Sequence, residues 1–205
     1  SDTYSMTHNE IEALKYIKNA NNVFSQLSLD YYKSVSNLSL AKLYNNNDDV
    51  VKADSLLNHL IESEKVDKRI KATSLQCRAF IMVSKKDPDY SNAILLYRSL
   101  IDEYGASYMS YKDYWAYAYA LINNNKEKES QTIVSQLLQV DTSTTAYYWQ
   151  YLIEKYKKNY SSALSLLEKS VTSNNKEVTE ALRQSLSLSQ RDYYESQFQI
   201  AEYKA

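Results

Sequence analysis

Glycine and proline are almost missing from this chain of 205 residues, which has one of each, Gly105 and Pro88. Antiparallel hairpins, sandwiches and barrels repeatedly need residues at positive φ, and glycine is their usual source. A β-rich fold is therefore not expected. The same scarcity removes Gly-rich phosphate loops, which need two or three glycines within a few residues. The single cysteine, Cys77, leaves no internal disulfide framework and no cysteine-based zinc cluster. Neither sign of charge dominates: 24 Lys+Arg stand against 25 Asp+Glu, for a net charge of −1. That balance gives no reason to expect nucleic acid or an anionic membrane surface as a partner. Long apolar runs are also lacking. The longest, Tyr114–Ile122, falls far short of the roughly 18–20 residues of a membrane helix. No signal peptide is visible, and the chain opens on Ser1-Asp2 rather than Met, as a piece of a longer or processed product would.

What the sequence does contain is apolar residues at helical spacing almost from end to end. Short polar breaks separate them, with Asn prominent: Asn45-Asn46-Asn47, Asn123-Asn124-Asn125, Asn159 and Asn174-Asn175. Asn suits both the left-handed residue that ends a helix and the cap that starts the next. The pattern predicts helices over 8–26, 30–46, 49–64, 67–85, 88–104, 111–124, 126–140, 144–158 and 161–173, then a longer one over 175–204. Two start signals stand out. Asp87-Pro88 offers a cap before a proline at the first helical position, and Ser110-x-x-Asp113 has the form of a capping box.

The helices form pairs, and the pairs repeat. In each second helix a small residue is followed at +4 and +7 by further packing residues: Ala53–Leu57–Leu60, Ala93–Tyr97–Leu100, Ser130–Val134–Leu137 and Ala163–Leu167–Ser170. Twelve residues upstream, in the first helix, lie Ala41 and Ala118 for the first and third pairs. Ala79 fits the second pair if two residues are inserted near Lys85–Asp87, and Tyr151 takes the place in the fourth. Small residues where helices cross let the backbones come close, so the pattern predicts a solenoid of helical hairpins.

These spacings over about residues 34–173 resemble the tetratricopeptide repeat, a helix–turn–helix unit with small residues at its eighth and twentieth positions. Ala41, Tyr44, Ala53 and Leu57 match in one repeat, and Ala118, Leu121, Ser130 and Val134 in another. Lys158-Asn159-Tyr160 is similar to the turn of the family. No repeat carries the consensus Gly or Pro, and the wider spacings imply longer helices. The resemblance implies an all-α, right-handed α-α superhelix. Its parts would be an N-terminal helix over 1–29, about four degenerate hairpins over 30–174, and a long C-terminal helix over 175–205.

In that last helix Leu182, Leu186, Ser189, Tyr193, Ser196, Ile200 and Tyr203 follow steps of four and three, a partly polar heptad seam. It would either cap the fourth repeat or leave the solenoid as a connector, with homodimerisation through the seam as one consequence. In the second case the chain resembles the tetratricopeptide ectodomain of bacterial membrane-anchored regulators. That resemblance implies an extracytoplasmic sensory domain in the periplasm or anchored to the membrane, against a cytoplasmic scaffold otherwise.

Residues for bond chemistry are sparse. His8 and His59 lie outside any HExxH motif, and His59 with Glu62 supplies only two metal ligands. Cys77 sits among helical apolar residues with no base or cation placed beside it by sequence. One glycine cannot build a GxSxG elbow. Lys155, Lys157 and Lys158 around Tyr156 read as a solvated helix end. The expectation is a protein that is no enzyme, with no cofactor, no metal and no nucleic acid bound by this region.

The 21 tyrosines are the unusual feature. Seven aromatics fall between Tyr104 and Tyr119, and Tyr147, Tyr148, Trp149 and Tyr151 form a second cluster. In the resembled family, positions 2, 5, 9 and 12 of each first helix face a concave groove. Those positions correspond to Val35, Leu38, Lys42 and Asn45, then Thr73, Gln76, Phe80 and Val83. The next two sets are Lys112, Trp115, Tyr119 and Ile122, then Thr145, Tyr148, Leu152 and Lys155. The resemblance thus implies an aromatic groove of Phe80, Trp115, Tyr119 and Tyr148 with lysines Lys42 and Lys155 at its ends. Trp and Tyr dominate interface energetics. Lys42 and Asn46 echo part of the family's clamp for a terminal carboxylate, but no Arg occupies a groove position. The expected partner is a protein or peptide offering an apolar or aromatic segment.

Overall fold

A computed structural model describes residues 8–171, and every regular element among them is helical. The elements are α1 (His8–Gln26), α2 (Asp30–Asn46), α3 (Val50–Glu62), α4 (Lys68–Ser84), α5 (Tyr90–Ser99), α6 (Tyr111–Asn123), α7 (Glu127–Val140), α8 (Thr144–Tyr156) and α9 (160–171). A π-helical turn, Leu100–Tyr104, extends α5, and a short 3-10 turn, Ala106–Tyr108, follows it. The helix expected over 175–204, with its heptad seam, lies outside the described residues, as do the ends of the first and last predicted segments. The chain divides into two compact units, Ser1–Asp141 and Thr142–Ala205.

In the first unit each helix from α1 to α7 packs on its neighbour in sequence, and α4 also packs on α2 and on α6. The backbones of α3, α5 and α7 do not meet one another among the described residues. Arg98 of α5 reaches Glu129 of α7 instead, with a guanidinium–carboxylate contact of 2.6 Å. The α2–α4–α6 layer is thus the closely packed one. The small residues expected at helix crossings are where backbones need them: Ala41, Ala53, Ala79, Ala93 and Ala118 are all at 0 % exposure. Ser130 is 1 % exposed and donates its hydroxyl to the Ala118 carbonyl at 2.8 Å. Leu57, Leu60, Tyr97, Leu100 and Leu137 fill the space between the layers.

Four of the turns among the described residues share one geometry. Ser28, Asp48, Asn125 and Lys158 take the left-handed conformation. Each is followed by a backbone N–H that bonds five residues back: Leu29 to Phe24, Asp49 to Tyr44, Lys126 to Leu121 and Asn159 to Glu154. This is the Schellman arrangement, which satisfies carbonyls left over at a helix end. Of the Asn tracts among the described residues, only the one ending at Asn125 supplies the left-handed residue. Asp48 does so in the first hairpin and Lys158 in the last. The α4–α5 turn is longer, and its closing bond runs from the Asp89 N–H to the Met82 carbonyl. There α5 begins at Tyr90 with Asp89 as cap, accepting from the Asn92 N–H at 3.0 Å. The Asp87-Pro88 start signal is therefore displaced by two residues, because the extra residues of this turn move the cap along the chain. Gly105, at φ +103°, provides a backbone conformation closed to other residues where the π turn ends.

In the second unit Ala146, Trp149 and Ile153 of α8 are buried, as is Ala163 of α9. Lys169 lies over the Tyr147 ring at 5.8 Å, and Ser143 caps α8 by accepting from the Ala146 N–H.

Candidate binding cleft

On α2, residues Ala41, Lys42, Asn45 and Asn46 follow helical spacing and occupy one face. Gln76, Cys77, Phe80 and Ile81 do the same on α4. The two faces meet the first turn of α6 around a cleft of about 330 Å³, which Leu57, Ser110, Lys112 and Asp113 complete. All of these residues belong to the first unit.

The α6 start is built by its sequence. Ser110 and Asp113 form the expected capping box: the Ser110 hydroxyl accepts from the Asp113 N–H, and the Asp113 carboxylate accepts from the Ser110 N–H at 2.9 Å. The Ser110 hydroxyl also donates to that carboxylate. Gln76 of α4 donates its amide to the same oxygen at 2.6 Å. Asp113, only 4 % exposed, thus has its charge engaged by local donors and ties α6 to α4. Lys112, one residue earlier, places its ammonium 3.9 Å from the centre of the Phe80 ring. This cation–π contact holds a cation at the cleft wall.

Cys77 lines the cleft half-buried, where sequence reading gives only a small packed residue. Burial pushes its thiol pKa up, Lys42 pulls it down, Asp113 pushes it up and Lys112 pulls it down, in that order of size. The net direction is upward, which keeps the thiol protonated. Tyr97 of α5, close enough to feel both Asp113 and Cys77, is fully buried and its hydroxyl has no hydrogen-bond partner among the described residues.

The seven residues expected to form the binding surface separate. Lys42, Asn46 and Phe80 come together in the cleft. Tyr119 is half-buried on α6 and packs edge-on against Tyr90 at 5.8 Å. Trp115 requires a correction: its ring is 0 % exposed and presents no surface to a partner. Burying an aromatic ring removes some 150–250 Å² from water, and the Asp141 carboxylate accepts from its indole N–H at 2.8 Å. Tyr148 and Lys155 belong to the second unit. Tyr148 is exposed and packs against Trp149 and Tyr151, while Lys155 lies over the Tyr151 ring at 5.7 Å. The aromatic groove reduces, in the first unit, to Phe80 set among lysines and amides. Lys112, Gln76 and Asn45 were legible as groove positions but not as members of one cleft. Cys77 and Asp113 carried no such signal, because only the meeting of α4 with α6 brings them there.

No helix among the described residues is long and apolar enough to cross a membrane, and no group of three or more His, Cys, Asp or Glu among them could hold a metal ion. No protein-family model matches the chain, and searches of curated proteins and of solved structures each found no match.

Proposed function

We propose that this chain is a non-catalytic protein-interaction module of the tetratricopeptide type. Its helical hairpins wind as a right-handed superhelix, and the α2–α4–α6 cleft holds a segment of a partner protein. One observation carries the reading. Lys42 and Asn45 of α2, Gln76 and Phe80 of α4, and Lys112 of α6 occupy the positions that face the groove in the resembled family, and they line a single cleft. A half-exposed aromatic ring surrounded by polar side chains is the composition of an interface anchor. Asn45 and Asn46 add amides that can both donate to and accept from a peptide backbone.

The test is selection of peptides from a displayed library against the intact chain, followed by titration against Phe80→Ala. The expected result is a loss of affinity of about tenfold or more, the effect of removing an aromatic anchor. The melting profile should be retained, because Phe80 is only half-buried. Selected peptides that bind the Phe80→Ala protein as well as the parent would place the binding surface elsewhere. The sensory-ectodomain reading rests on residues 175–205 and on sequence outside the chain, and nothing in the cleft favours it.

A further inference from the structure

The cleft is cationic in a way that neither the chain's net charge of −1 nor its neighbourhood explains. Its lining includes Lys42, Lys112 and Asp113 as charged groups. The Asp113 carboxylate is buried and engaged by Ser110 and Gln76, whereas both lysines are exposed. Among the described residues neither lysine has a carboxylate within ion-pair distance. The position of Lys112 is itself unfavourable. It is the second residue of α6, at the positive end of the helix dipole, where a cation is disfavoured. An anion in the cleft would reverse that sign, meeting the dipole and two ammoniums together.

Apolar surface adjoins this cationic centre. Along α2 the face that bears Lys42 continues through Leu38, Val35 and Tyr31, and Val35 and Tyr31 are exposed. Ala41, Leu57 and Ile81 form the buried apolar side of the cleft, below the partly exposed Phe80 ring. A ligand chain that meets the charges therefore finds further apolar contact along α2 beyond Lys42, which suits a segment that continues past the lysines rather than ending at them.

We propose that the occupant is an internal acidic segment of a partner protein, in which an Asp or Glu side chain lies between Lys42 and Lys112 and a neighbouring apolar side chain packs on Phe80. This proposal rests on the reading of the cleft as the binding site and adds the chemistry of what enters it. The ammoniums supply the recognition of charge, the Phe80 ring the apolar anchor, and Asn45 and Asn46 the backbone contacts. Because the lysines are exposed, binding weakens as salt screens them.

The experiment uses the intact chain and short random segments displayed between two fixed flanks, so that no free terminus is offered. Selected segments should be enriched in Asp or Glu beside an apolar residue. Lys42→Met and Lys112→Met should each weaken them about tenfold, and added salt should weaken binding to the parent more than to either variant. Methionine keeps much of the stem packing, and an unchanged thermal melt confirms that each variant folds. Segments without acidic residues that still depend on Phe80 would overturn the acidic chemistry and leave the cleft standing. Binders obtained only from a parallel library with free C-termini would overturn the internal segment, again sparing the cleft. Binders indifferent to Phe80→Ala and to both lysine variants, or no binders from either library, would overturn the cleft as well.

Discussion

Tyr97 buries a hydroxyl with no acceptor among the described residues, next to Asp113 and Cys77. An unsatisfied buried polar group costs about 1–3 kcal/mol. Tyr97→Phe should therefore leave the melting midpoint unchanged or raise it, against the usual direction of a core substitution. Burial also raises the Tyr97 pKa well above its ordinary value. A raised pKa means that the folded state holds its proton longer than the unfolded one. Its contribution to stability is complete below the ordinary tyrosine value of about 10 and is lost as pH rises through the folded value. Denaturation followed above that pH should show a steeper alkaline loss in the parent than in Tyr97→Phe. Cys77 follows the same sign. Its raised pKa predicts slow alkylation at neutral pH that quickens above the normal thiol range, and an occupied cleft should slow it further. Mass-spectrometric labelling rates with and without a selected peptide check both statements. Sequence places Tyr97 in the core through its spacing from Ala93, but it does not reveal that its hydroxyl goes unpaired. That depends on what α4 and α6 bring to it.

At the scale of the element, most boundaries were legible because their causes are local. The Ser110–Asp113 capping box is a relation between residues three apart, and it forms as its letters indicate. Asp113→Ala removes the box and the Gln76 contact together, so a loss of about 1–3 kcal/mol in chemical denaturation is expected. The α4–α5 turn was harder to place, since the capping role passed from Asp87 to Asp89 once the inserted residues had been accommodated. The Asn tracts within the described residues, 45–47, 123–125 and Asn159, were read correctly as breaks but not residue by residue. A left-handed residue is selected by the geometry of the whole turn, and Asp48 and Lys158 hold that position at a cost. Left-handed backbone is unfavourable by roughly 1–2 kcal/mol for residues with a Cβ, and Gly escapes that cost but gives up entropy. Lys158→Gly and Asp48→Gly should each stabilise by up to about 1 kcal/mol, read as a raised thermal midpoint. A fall in either would mean that the side chain makes a contact worth more than the strain.

Over the whole molecule, the two units differ in how much of the candidate site they hold. Every cleft residue lies in Ser1–Asp141, and so does the Trp115–Asp141 hydrogen bond. A chain ending at Asp141 should therefore keep a cooperative melt and the Phe80-dependent binding of selected peptides, as circular dichroism and titration would show. An all-helical architecture of neighbouring pairs was fixed by the sequence alone. Helical periodicity, small residues at crossings and the near absence of glycine are properties of neighbours along the chain, and they hold whichever way the helices later pack. Which groove positions become a surface was decided only by the tertiary structure. Trp115 and Phe80 look alike as aromatic residues on first helices, yet Trp115 is sealed inside with its N–H on Asp141 while Phe80 stays half-exposed beneath Lys112. The difference lies in the crossings of α2, α4 and α6. Exposure is set by how far neighbouring helices close over a residue, and that distance is written in no local run of letters.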